Sequence, residues 1–134
     1  MGILKKVFKK TDKPERVAFS WKILQNSEQL NSIKNEEHKL SVLFKHSTRC
    51  IVSKVVLKEV EEKFKALDRQ VDFYFLDLLN YRPISAAIAE QFDVEHQSPQ
   101  VIVVFKGKVV AHESHYEIMS LDLEALIKTD ENKS

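Results

Sequence analysis

The chain has 134 residues, enough for one domain with a buried core and too few for two ordinary ones. Hydrophobic residues make up 43% and charged residues 31%, a globular composition, and only 2 Gly and 3 Pro argue against low-complexity tracts or a turn-rich all-β fold. Lys+Arg is 21 against Asp+Glu 20, so a net charge of +1 gives no global field for nucleic acid, and apolar runs such as Val101–Phe105 are too short to span a bilayer.

Residues 1–16 form a basic arm: Lys5, Lys6, Lys9, Lys10, Lys13 and Arg16 face only Asp12 and Glu15. Ile3, Leu4, Val7 and Phe8 make a short helical stripe there, either a partner- or membrane-touching arm or a frayed or docked terminus. Residues 17–129 read as the folded domain and 130–134 as a polar tail. Val17–Leu24 reads as a short strand, and Asn26 with Gln29 as the capping pair of a helix through Asn35 that turns Leu30 and Ile33 inward. Leu40–Phe44 is a buried strand ending in the polar loop Lys45–Arg49.

Cys50 opens the strongest helix, whose Val52, Val56, Val60, Phe64 and Leu67 recur at three- and four-residue steps. Glu59 with Lys63 and Glu61 with Lys65 are expected as i,i+4 pairs on its wet side. Val71–Leu76 is the next strand. Pro83 suits the first turn of a helix through Phe92, with Ile84, Ala87, Ile88 and Gln91 on one face. Val101–Phe105 is a strand buried on both faces, followed by a Lys106-Gly107-Lys108 turn and a returning strand Val109–His112. Ser120 is the expected cap of a last helix, with Asp122 and Glu124 in its first turn. The order β-α-β-α-β-α-β-β-α predicts an α/β domain with a mixed central sheet flanked by helices.

Cys50 is the sole cysteine, which excludes an internal disulfide, a CxxC pair and a cysteine-based zinc cluster. No apolar signal segment or cleavage site is apparent, so the expected compartment is the cytoplasm. A thiol where a buried strand hands over to a helix faces that helix's unpaired N–H groups, an arrangement that favours thiolate, the nucleophile of disulfide exchange. His46 and Arg49 add hydrogen-bonding capacity and positive charge nearby. The other reading of Cys50 is a small buried hydrophobe.

Cys50-Ile51-Val52-Ser53 has the frame of a CxxC motif with serine in the second position. Ser53 is in reach to hydrogen-bond the thiolate across one turn, or simply bonds the backbone there, and it cannot resolve a disulfide. Ser98-Pro99-Gln100 precedes the apolar strand. A cis proline there would set backbone polar groups opposite the thiol, while a trans one is an ordinary strand entry. No HExxH, P-loop, G-x-G-x-x-G or G-x-S-x-G occurs, and no metal site is expected from the scattered histidines.

Phe44-Lys45-His46-Ser47-Thr48-Arg49-Cys50, the CxxS frame, Arg82-Pro83-Ile84-Ser85, Ser98-Pro99-Gln100 and His112-Glu113-Ser114-His115 form one ordered pattern. It resembles the monothiol bacilliredoxins, the YtxJ-like thioredoxin-fold proteins of the bacillithiol system, from about Trp21 to Lys128. The resemblance implies a thioredoxin-like fold and cytoplasmic thiol–disulfide exchange with no bound cofactor. Bacillithiol or another low-molecular-weight thiol is the implied co-substrate, S-thiolated proteins the substrates, and a further thiol or reductase the regenerating partner. By position, Cys50 is the nucleophile, His46, Thr48, Arg49 and Ser53 lie beside it, and Ser98, Pro99 and Gln100 form the opposing loop. The family commonly has proline directly after the cysteine; here Ile51 stands there, leaving one more N–H near the sulfur. Two other classes of function stay open: a non-catalytic thioredoxin-like adaptor with a structural or redox-sensing Cys50, and iron–sulfur carriage by Cys50 from two chains.

Overall fold

The computed structural model describes residues 19–133, with side chains through Thr129; the basic arm at 1–16 lies outside the described residues. The elements are β1 (Trp21–Ile23), α1 (Ser27–Asn35), β2 (Leu40–His46), α2 (Ile51–Phe64), β3 (Val71–Asp77), α3 (Arg82–Phe92), β4 (Gln100–Phe105), β5 (Lys108–Ser114) and α4 (Leu123–Lys133). Two short 3-10 turns, Lys65–Leu67 and His115–Ser120, follow α2 and β5. The expected order of strands and helices is reproduced.

The five strands lie in the order β1-β3-β2-β4-β5. β3 runs parallel to both β1 and β2, whereas β4 is antiparallel to β2 and to β5. The sheet is therefore mixed, as expected. Its central strand β2 is buried at every residue and alternates sides. Val42 and Phe44 join Val56, Val60 and Phe64 of α2 and Ile118 and Leu123 beyond β5. Leu43 faces the other way, with Leu30 and Ile33 of α1 and Ile88 and Phe92 of α3. Both faces are covered, so the unbroken apolar run of β4 has a core on each side. Each fully buried Leu, Val or Phe contributes roughly 1.5–3 kcal/mol of transfer free energy.

Local chemistry sets several boundaries. Asn26 accepts from Gln29 N–H at 3.1 Å while the Gln29 side chain accepts from Asn26 N–H at 3.1 Å, a reciprocal cap on α1. Pro83 sits in the first turn of α3, where its missing N–H costs nothing. Lys106 and Gly107 both take positive φ in the two-residue hairpin turn. A Cβ on Gly107 would also lie 2.9 Å from the Lys34 carbonyl oxygen.

Elsewhere distant contacts override the local pattern. β2 continues through Lys45 and His46, expected as loop, because its parallel ladder with β3 extends to Leu76 and Asp77. Neither expected i,i+4 pair on α2 forms among the described contacts. Glu61 instead accepts from Trp21 Nε1 at 2.7 Å, Lys63 Nζ donates to the Met119 carbonyl, and Lys65 lies 3.7 Å from Glu62. The buried side of α3 carries Ser85, Ile88 and Phe92, and Gln91 is exposed. Ser120 ends the 3-10 turn, donating to the Glu117 carbonyl, so Asp122 receives the Ala125 N–H and caps α4. That helix runs to Lys133, which makes most of the 130–134 tail helical.

Candidate active site

The loop after β2 and the loop before β4 leave from the same end of the sheet, because Lys45 and Gln100 are direct partners in the β2–β4 ladder. The first loop delivers Cys50 as the N-cap of α2, with extended backbone (φ −112°, ψ 119°) and a half-buried side chain that makes no capping hydrogen bond. The second holds Ser98 and Pro99, joined by a cis peptide bond. The Pro99 carbonyl accepts from His115 N–H at 2.9 Å, and His115 itself adopts a left-handed φ of 58°.

Ser53 lies one turn into α2 and is fully buried. Its hydroxyl accepts from Ser47 N–H at 3.1 Å and lies 2.7 Å from His46 Nδ1. Burial lowers the His46 pKa, outweighing the opposing pull of Asp77, and Lys54 lowers it further. Ser53 Oγ therefore bridges the Ser47 amide of the loop and the His46 ring of β2. Ser53 thus ties α2 back to β2, rather than hydrogen-bonding the sulfur as one reading of the CxxS frame expects. Ser53→Ala should leave a buried amide and a buried imidazole nitrogen unpaired and cost about 2 kcal/mol, read from the urea unfolding midpoint.

The remaining expected residues divide. Thr48 and Arg49 are exposed, and among the described contacts neither side chain makes a hydrogen bond or ion pair; Arg49 N–H donates to Ser47 Oγ at 3.3 Å. Gln100 is buried, its Nε2 donating to the Glu95 carbonyl at 2.9 Å. Its Oε1 and the Ser98 hydroxyl are buried without a partner among the described residues. Ile51 is 77% exposed immediately after the cysteine.

One neighbour is not anticipated by the sequence reading. Lys45 is fully buried, with Nζ 3.3 Å from the Ser85 carbonyl and 3.2 Å from His96 Nδ1. Burial pushes its amine down to about 8. Two acceptors and no carboxylate match the two N–H donors of a neutral amine as well as they match an ammonium. The signal available in sequence was a lysine inside a strand run whose alternation places it on the side of Leu43.

The family model of monothiol bacilliredoxin BrxC matches residues 22–123. The chain belongs to that family. Among solved structures, a candidate oxidoreductase with a thioredoxin fold is 25% identical at TM-score 0.64, covering 79% of this chain and 89% of that one. Thioredoxin from Trypanosoma brucei brucei superposes at TM-score 0.68 with 21% identity, over 87% of this chain and 99% of its own. Fasciola hepatica thioredoxin gives TM-score 0.61 with 20% identity, over 81% and 97%. The bacilliredoxin has the thioredoxin fold, and family and fold support a thiol–disulfide redox role. Among the described residues no group of three or more His, Cys, Asp or Glu is placed to hold a metal ion, and no helix is long and apolar enough to cross a membrane.

Proposed function

We propose that this bacilliredoxin removes bacillithiol, or a closely similar low-molecular-weight thiol, from protein mixed disulfides in the reducing cytoplasm. The observation that carries the reading is the placement of the sole cysteine at the head of α2, at the same sheet end as the Ser98–Pro99 loop. Cys50 thiolate attacks the bacillithiol sulfur of the mixed disulfide. A Cys50–bacillithiol S–S bond forms, the original S–S bond breaks, and the substrate protein leaves as a thiolate that takes a proton from water. One disulfide is exchanged for another, with no net oxidation.

No second cysteine exists to resolve the adduct, so a second thiol or a separate reductase must attack it. Thr48 and Arg49, both exposed, are the side chains assigned to receive the small thiol, and the backbone of the Ser98–Pro99–Gln100 loop is assigned to the substrate backbone, with His46 and Ser53 holding the helix start. Exposing the reduced chain to bacillithiol, glutathione and coenzyme A disulfides, followed by intact-mass spectrometry, tests this. The expected result is one adduct per chain, formed fastest with bacillithiol. No adduct with any disulfide would instead favour the adaptor reading, in which exposed Ile51 and Val55 on the first turns of α2 form a contact surface.

A further inference from the structure

The β2–α3 side of the sheet holds a cation whose presence the fold does not explain. Lys45 is fully buried, and among the described residues no carboxylate pairs with it. Methionine would fill the same volume without the desolvation cost of an amine. What Lys45 does have is position. It lies on the strand that leads into Cys50, directly opposite Gln100, the residue after Pro99. Its amine meets the Ser85 carbonyl of α3 at 3.3 Å and His96 Nδ1 at 3.2 Å, and Ser85 Oγ reaches the same nitrogen at 3.3 Å. His96 belongs to the segment that runs from α3 into Ser98–Pro99.

We propose that Lys45 is a positioning residue: its buried amine clamps the His96 segment and α3 to β2, fixing the Ser98–Pro99 loop relative to the Cys50 sulfur. The inference rests on the exchange reading of the site. A loop released from this clamp receives the substrate backbone less well, yet the sulfur itself is untouched. Lys45 acts through the loop and touches neither sulfur nor substrate. The groups facing it are His96 and Ser85, with Arg82 further out and acting on His96.

The test compares wild type, Lys45→Met, His96→Ala and the double variant in two assays. One follows exchange with a single-cysteine test protein carrying a bacillithiol mixed disulfide; the other follows alkylation by iodoacetamide, which needs no loop. Lys45→Met is expected to slow exchange about tenfold, through KM rather than kcat, with alkylation unchanged. His96→Ala, at an exposed position with little risk to folding, should move exchange the same way, and the double variant should be no worse than Lys45→Met. Lys45→Met exchanging at the wild-type rate would overturn the inference, as would equal losses in both assays. A wild-type chain that alkylates but never exchanges overturns the underlying reading, and the clamp's role with it.

Discussion

Replacing Cys50 with serine is expected to abolish disulfide exchange and, at the same time, to stabilise the chain by about 1 kcal/mol. Both halves come from the same position. Cys50 is the N-cap of α2, where the first amides of the helix have no intrahelical acceptor. Its backbone is extended, as an N-cap requires, but its sulfur accepts no hydrogen bond from those amides. Sulfur is a weak acceptor; a serine oxygen at the same atom is among the preferred caps. The protein therefore holds a poor cap at the head of the helix that supports its core through Val56, Val60 and Phe64. An urea unfolding midpoint above wild type, together with an unmodified mass after bacillithiol disulfide treatment, is the expected pair of results. Adducts retained by Cys50→Ser would remove the nucleophile assignment. A lowered midpoint would mean the sulfur makes a contact that the capping geometry lacks.

The sequence was most legible where the cause of structure is local. The Asn26–Gln29 cap closes within four residues, the α2 stripe repeats through Val56, Val60 and Phe64, and β4 is an unbroken apolar run; each is found where the pattern predicts it. Legibility fails where the partner is far along the chain. Lys45 and His46 read as loop because they are polar, yet the groups that satisfy them are Ser53, Ser85 and His96, brought in by α2, α3 and the segment before β4. Glu61 read as half of a helix-surface pair, but β1 places the Trp21 indole against it. Ser120 and Asp122 are both good caps in isolation, and only the 3-10 turn that uses Ser120 decides between them. At the site, Cys50 is the N-cap of α2 and the Ser98–Pro99 bond is cis. The commitment of Ser53 to His46 rather than to sulfur is not legible in sequence, because only the ladder with β3 carries β2 as far as His46 and so brings that ring to α2.

Lys45→Met should be more stable than wild type at pH 7 by about 2 kcal/mol, and that gap should close as pH rises to 10. In the unfolded chain the lysine keeps its proton up to the ordinary value of 10.5; in the folded chain burial brings the amine to about 8. Below pH 8 both states are protonated and the full cost of burying the ammonium weighs on the fold. Between 8 and 10.5 the unfolded chain holds a proton that the folded chain has lost, so wild-type stability rises with pH. At 1.36 kcal/mol per pH unit, the recovery amounts to about 3 kcal/mol. Methionine at this position has no such dependence, and groups common to both chains cancel in the difference. The His96 pKa, lowered first by burial and then by the Lys45 and Arg82 charges, should move up toward 6.5 in the variant, a shift that NMR titration reads directly. A stability difference that stays constant from pH 7 to 10 would show that the amine is not what the fold pays for. A closing gap beside slowed exchange would place Lys45 with Cys50, as a residue that costs the fold stability and serves the chemistry at the end of β2.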